Sequence, residues 1–421
     1  MIKAYKIAIS FLIFLLFSAL GFAQQRFPKP DFESGYVPPE TQVPSANGVW
    51  MEYLDVFIFI LLLSLFSYFI LKKRSRKFVI WGGVFSVVYF GFFREGCVCS
   101  IGAIQNVALA LYDSSFVLPL TVIVFFLLPL FFTLFFGRTF CAGVCMFGAL
   151  QEVVIYKPVK ISSWLQKALG AIPYLYLTFA ILFAVTGADF IICKYDPFVG
   201  FFRFSTSPGM FAFGVGLLLL GMFVARPYCR FICPYGVLLS WVSQISVKHL
   251  TITPTDCIQC KLCEDACPVD AIAKPSENVK PESKGTRRLI FIFVLIPVFM
   301  LLFGFITSRF YEPLSMVHPQ VRLAEEIALE KKINTKPASV EAVAFNSSGM
   351  NSAELFKLAN EIRITFYRGS WIAGLFLGFI FGLALLQSSR FKRNTIYTPD
   401  KGSCVGCARC FRHCPVERKE G

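Results

Sequence analysis

The sequence predicts an all-α polytopic membrane protein of about seven transmembrane helices, with a small α+β domain on the cytoplasmic side assembled from two chain-distant halves. Three observations lead there. Hydrophobic residues fill 56% of the 421 positions and charged residues only 16%, with a mean hydropathy of +0.64, which exceeds what an ordinary soluble domain carries. Lys and Arg outnumber acidic residues 41 to 26, and they collect between alternate apolar runs. The 15 cysteines fall in close pairs and quartets, a pattern that favours metal ligation over a disulfide scaffold.

In chain order, residues 1–23 place Lys3 and Lys6 before the apolar run Ile7–Leu20 and end on Gly21-Phe22-Ala23, as a cleavable secretory signal does. An uncleaved first helix is the alternative. Residues 24–53 form a Pro-rich extracytoplasmic lead-in, and apolar runs follow at 54–71, 78–93, 117–136, 171–188, 210–225, 288–307 and 370–387. Each approaches the roughly 20 residues that a membrane helix needs. With the mature N-terminus outside, 26 of the 41 Lys and Arg fall in cytoplasmic segments, in keeping with the positive-inside rule. The chain then divides into a transmembrane domain at 54–248, a first cytoplasmic half at 249–287, a helix at 288–307, an extracytoplasmic loop at 308–369, a helix at 370–387 and a second cytoplasmic half at 388–421. Within the loop, Val321–Lys332 and Ser352–Tyr367 have helical patterns.

The two halves carry the most specific motif. Cys257, Cys260, Cys263 and Cys267-Pro268 repeat as Cys404, Cys407, Cys410 and Cys414-Pro415, the spacing of bacterial ferredoxins with two [4Fe–4S] clusters, in which the fourth Cys of each run serves the other cluster. Cluster one would take Cys257, Cys260, Cys263 and Cys414, and cluster two Cys404, Cys407, Cys410 and Cys267. Zinc sites pair two short hairpins instead. Two membrane crossings separate the runs and return the chain to the same side, as shared ligation demands.

A second pattern recurs within the membrane domain: Cys97-Val-Cys99 followed by Gln105, Cys141-x3-Cys145 followed by Gln151, and Cys229-x3-Cys233-Pro234. Each Cys pair precedes a Gly-containing turn and an apolar helix start. Cys141, Cys145, Cys229 and Cys233 fall at cytoplasmic helix ends and are candidates for a third centre, an additional iron–sulfur or other metal site. Cys97, Cys99 and Cys193 fall at external ends and are candidates for an external redox site. Buried or redox-active thiols and an external disulfide are the competing readings.

Several classes are excluded. The three His residues lie outside the apolar runs, and there is no Cys-x-x-Cys-His, so no haem is expected. No phosphate-binding Gly motif occurs. The basic excess sits among long apolar runs, so the partner is the membrane, and nucleic acid is not expected.

On Cys141-x3-Cys145, Arg226-Pro-Tyr-Cys229-x3-Cys233-Pro234 and both ferredoxin runs, residues 50–421 resemble the membrane-anchored polyferredoxins of the NosR, NapH and CcoG type. Met146 stands where that family has Pro. The large external flavin domain of NosR is missing, and Ser348-Gly349-Met350 lacks the Ala-Thr of a covalent flavin site, so no such flavin is expected. The resemblance implies a bacterial inner-membrane protein that moves electrons between a cytoplasmic ferredoxin, flavoprotein or quinone pool and an extracytoplasmic reductase or redox protein. It implies a component of a larger complex rather than a stand-alone enzyme. A copper- or iron-handling assembly factor and a subunit of a redox-driven ion pump are the alternatives, the pump disfavoured by helix interiors without acidic residues.

Overall fold

A computed structural model describes residues 49–96, 99–204, 206–252, 257–275, 284–333, 339–347, 351–389, 394 and 396–416. The expected signal at 1–23, nearly all of the lead-in, Cys97 and Ser348-Gly349-Met350 lie outside these residues.

Apolar composition and few breakers produce long helices at both ends of the described chain. Helix α1 (Val49–Leu71) leads through Ser75, whose side chain accepts from the Phe78 amide, into α2 (Arg76–Ser86), which continues as a π-helical segment, Val87–Phe93. The middle is built from shorter pieces: α3 (Ala103–Tyr112), α4 (Leu120–Phe136), a π turn at Phe140–Val144, α5 (Met146–Val154), α6 (Ser163–Leu169) and α7 (Ile172–Val185). Next come α8 (Ile191–Tyr195), α9 (Pro197–Arg203), α10 (Pro208–Gly221), α11 (Pro227–Phe231) and α12 (Pro234–Gln244). Four of these five start on a proline, which suits the first helical turn because its missing N–H would be unpaired there anyway. Helix α13 (Leu262–Asp265) and strand β1 (Ile272–Ala273) precede α14 (Lys284–Ser308), then α15 (Tyr311–Ser315), α16 (Pro319–Ile333), α17 (Val340–Ser347), α18 (Ser352–Ser389), β2 (Thr398–Pro399) and α19 (Arg409–His413).

Among the described residues, five stretches are long and apolar enough to cross a membrane: Trp50–Leu71, Arg76–Phe93, Ser163–Val185, Leu289–Ser308 and Ser352–Gln387. A sixth arises if the bent pair α9 and α10 counts as one span. This is fewer than the seven that the apolar runs predict. Helix α4 has 17 residues, or about 26 Å at 1.5 Å per residue, short of a hydrocarbon core of about 30 Å. Helix α10, with 14 residues, is shorter still. Apolar runs and spans diverge where Gly, Pro and Cys-bearing turns break the helix. The segment Ser352–Tyr367 also departs from expectation, since it is the first half of α18, a single 38-residue helix of about 57 Å. That projecting half packs Leu355 and Ala359 against Val321, Ala324 and Ile327 of α16.

Helices α14 and α18 form a tight hairpin along a stripe of glycines. A β-carbon at Gly378 would stand 2.6 Å from Met300 Cα and press on the Phe299 carbonyl, and one at Gly382 would meet Ile296 at 2.8 Å. Small residues let membrane helices approach this closely. Gly378→Ala is therefore expected to destabilise the protein by about 1–3 kcal/mol, whereas Gly216→Ala, with open space around that position, is expected to be neutral. Thermal unfolding of the two variants in detergent compares them.

Candidate functional site

The two ferredoxin-like runs meet in space. Strand β1 pairs antiparallel with β2, Ile272 opposite Pro399 and Ala273 opposite Thr398, the Asp400 amide donates to the Ala271 carbonyl at 2.7 Å, and α13 packs on α19. The runs also share a backbone form. Gln259 and Lys261 flank Cys260 at φ 54° and 64°, and Gly406 and Ala408 flank Cys407 at 65° and 60°. A non-Gly residue in this region is held at a cost of about 1–2 kcal/mol, and turns of this kind direct successive backbone N–H groups at one anionic site.

Cys267, Cys404, Cys407 and Cys410 line one cavity with Leu250 and Ile272. Cys257, Cys260, Cys263 and Cys414 line a second with Ile252 and Tyr397. Each cavity thus draws three thiols from one run and one from the other. Burial pushes the Cys404 thiol up to about 12 and Cys263 to about 11, against backbone N–H contacts that pull them down. Such thiols ionise readily only when a cation displaces the proton, as a coordinated metal does. The Ala271 amide donates to Cys267 Sγ at 3.3 Å, a contact that favours the thiolate.

Four more thiols gather deeper in the chain. Cys141 lies on the π turn and Cys145 caps α5; Cys229 lies on α11 and Cys233 caps α12. Cys145 is within electrostatic reach of Cys141 and Cys229, and Cys233 of Cys141, Cys145 and Cys229. Arg138 Nη2 points at Cys141 Sγ at 3.8 Å and Gln151 Nε2 donates to Cys229 Sγ at 3.2 Å. The buried Nε of Arg138 and both Nη atoms of Arg230 have no hydrogen-bond partner, although Arg230 lies 3.7 Å from Asp270. The Arg138 guanidinium beside Cys141 and Cys229 suits the negative charge of thiolate-ligated iron, whereas Arg230 faces Asp270 and Cys267. Among the described residues, no three His, Cys, Asp or Glu side chains converge as a single metal ion requires; a polynuclear cluster spreads its thiolates further apart.

The residues that sequence reasoning missed are the ones joining these sites. Glu152 Oε1 receives Arg76 at 2.5 Å and Arg409 at 2.9 Å, and its Oε2 receives Arg226 Nε at 2.9 Å. Arg226 also donates to the Cys141 and Ala142 carbonyls, Arg76 to the Cys407 carbonyl at 2.6 Å, and Arg138 to the Gly402 carbonyl at 2.7 Å. Burial opposes ionisation of Glu152, but the charges of Arg226, Arg76 and Arg409 outweigh it and hold the carboxyl at about 2. One carboxylate therefore ties the second ferredoxin half to the Cys141 turn. The available signal was an Arg three residues before the first Cys of two pairs, Arg138 before Cys141 and Arg226 before Cys229.

Cys99 and Cys193 line a separate cavity, and Cys99 also borders a cavity with Cys145. The topology drawn from the sequence put Cys99 and Cys145 at opposite membrane faces, yet they are neighbours across one void. Helices α3 and α5, of 10 and 9 residues, start just after these two turns and are about 15 Å long, too short to cross a membrane. Cys97, the third residue expected there, lies outside the described residues.

Two families described as 4Fe-4S binding domains match the chain, one at residues 118–171 and 206–253 and the other at 250–273. The first match contains Cys141, Cys145, Cys229 and Cys233, and the second the Cys257–Cys267 run. The chain is 28% identical to an uncharacterized protein of Methanocaldococcus jannaschii over 43% of its own length and 77% of the relative's. It is 28% identical to the regulatory protein NosR of Stutzerimonas stutzeri over 45% of this chain and 28% of NosR. It is 31% identical to protein NirI of Paracoccus denitrificans over 35% of this chain and 24% of NirI. The match thus spans less than a third of NosR and of NirI. No solved structure matches. With the ferredoxin-type runs, the paired cysteines and several membrane-capable helices in one chain, these likenesses support a NosR/NapH-like family of membrane polyferredoxins.

Proposed function

We propose that this multi-pass membrane protein is an electron conduit, carrying electrons between a cytoplasmic or quinone donor and an extracytoplasmic redox partner. The observation that carries this reading is the pair of four-thiol cavities, each built from both runs, tied through Glu152 to the turn bearing Cys141. Cys257, Cys260, Cys263 and Cys414 would hold one [4Fe–4S] cluster and Cys404, Cys407, Cys410 and Cys267 the other. Cys141, Cys145, Cys229 and Cys233 would hold a third centre. A bound cluster supplies one-electron chemistry at a potential set by hydrogen bonds and burial. The chain's own contribution is to hold the thiols, exclude water with residues such as Leu250 and Ile272, and fix the sites against one another through the Glu152 arginines. The Lys and Arg distribution favours a cytoplasmic face for the ferredoxin halves in an inner membrane.

Anaerobic purification with iron, sulfide and copper assays and a potentiometric titration tests the proposal. About eight iron atoms per chain correspond to two four-iron clusters, and about twelve to three, all reducible. Stoichiometric copper without reducible iron would overturn the conduit and favour a metal-handling role.

A further inference from the structure

We infer that Gln151 sets the reduction potential of the centre held by Cys141, Cys145, Cys229 and Cys233, as a positioning residue that donates a hydrogen bond to the Cys229 sulfur. The inference rests on the reading of those four thiols as an iron–sulfur centre.

Gln151 lies six residues after Cys145, on α5, and its side chain is fully buried. The orientation of its amide is fixed from one side. The Tyr228 backbone N–H, which can only donate, reaches Oε1 at 3.0 Å, so the oxygen faces Tyr228 and the NH2 group faces elsewhere. That nitrogen has two protons and meets two acceptors, the Phe147 carbonyl at 3.0 Å and Cys229 Sγ at 3.2 Å. The oxygen thus holds the residue that precedes Cys229 in the chain, while the nitrogen acts on the ligand sulfur itself.

Packing alone would explain a buried glutamine between two helices, and Gln105 shows what that role requires. It is equally buried, lies six residues after Cys99, and accepts the Ile192 amide at 2.8 Å, one residue before Cys193. Its nitrogen donates to the Ala180 carbonyl at 3.1 Å, another backbone group. The equivalent turn is therefore held without a proton directed at sulfur, and the Cys229 contact is what distinguishes Gln151.

The other three thiols meet donors of other kinds. Cys145 and Cys233 receive the backbone amides of Gly148 and Gly236, and Cys141 faces the Arg138 guanidinium. Gln151 is uncharged, so removing its donor changes hydrogen bonding and leaves the net charge alone. A donor on a ligating sulfur stabilises the reduced, more negative state of a cluster and so raises its potential.

The experiment uses the full chain, purified anaerobically and titrated potentiometrically with electron paramagnetic resonance. Gln151→Met keeps an unbranched side chain and removes the donor. It is expected to retain its iron and to lower the potential of the third centre by about 59 mV, a tenfold change in its reduced-to-oxidised ratio, with both ferredoxin-type clusters unmoved. Gln105→Met is expected to move none of the three. In the parent labelled with nitrogen-15 at glutamine side-chain amides, the reduced third centre is expected to show a nitrogen-15 coupling that the Met variant lacks. An unshifted potential in Gln151→Met with full iron, or an equal shift in Gln105→Met, overturns the role. If Gln151→Met loses the third centre's iron, the coupling in the parent decides, its presence upholding the contact and its absence overturning it. About eight iron atoms in the parent, the content of two four-iron clusters, would instead overturn the third centre itself.

Discussion

Deleting residues 400–421 is expected to remove the iron of two clusters, about eight atoms per chain, and not four. Cys414 sits in the cavity of Cys257, Cys260 and Cys263, while Cys267 sits in that of Cys404, Cys407 and Cys410, so neither thiol set is complete without both runs. The single variants divide the loss: Cys414→Ser is expected to disturb only the first cavity's cluster and Cys267→Ser only the second's. Iron analysis combined with electron paramagnetic resonance of the reduced variants checks this. A complete, stable [4Fe–4S] centre on the first run after truncation would show that the runs ligate separately.

Replacing Glu152 by Gln is expected to destabilise the protein by about 3–5 kcal/mol, the usual consequence of breaking a buried ion pair from one side. Arg226 has no exposed side-chain surface and Glu152 has 4%, so water cannot take over the lost charge, and Arg76 and Arg409 lose the same partner. Because folding lowers the Glu152 pKa from its ordinary value near 4.5 to about 2, its contribution is fully present above pH 4.5 and is lost as pH falls through about 2. The Gln variant should accordingly be weaker than the parent throughout pH 5–8, with the difference closing only in strong acid. Thermal unfolding at several pH values measures it. Because Arg76 reaches the Cys407 carbonyl and Arg226 the Cys141 carbonyl, the Gln variant should also loosen the ferredoxin half from the membrane domain, read as faster proteolysis after α18. Equal stability of parent and variant at pH 7 would show that the arginines are held without Glu152.

The sequence by itself determined the membrane character, through apolar runs that leave no other solvent for the backbone, and the ferredoxin-type ligand runs, because iron ligation constrains spacing at the scale of a few residues. It also marked the Cys pairs and Gln105 and Gln151 as a repeat, since equivalent turns reuse equivalent residues. The tertiary structure alone decided which long-range partners each residue meets. It brought Ile272 opposite Pro399 and Glu152 between Arg76, Arg226 and Arg409, contacts across 74 to 257 positions that no local periodicity encodes. Among the described residues it also left five or six membrane-capable helices and set Cys99 beside Cys145. Hydropathy records the solvent a segment prefers, whereas a short helix broken by Gly, Pro and cysteine turns has its depth and direction set by what packs around it.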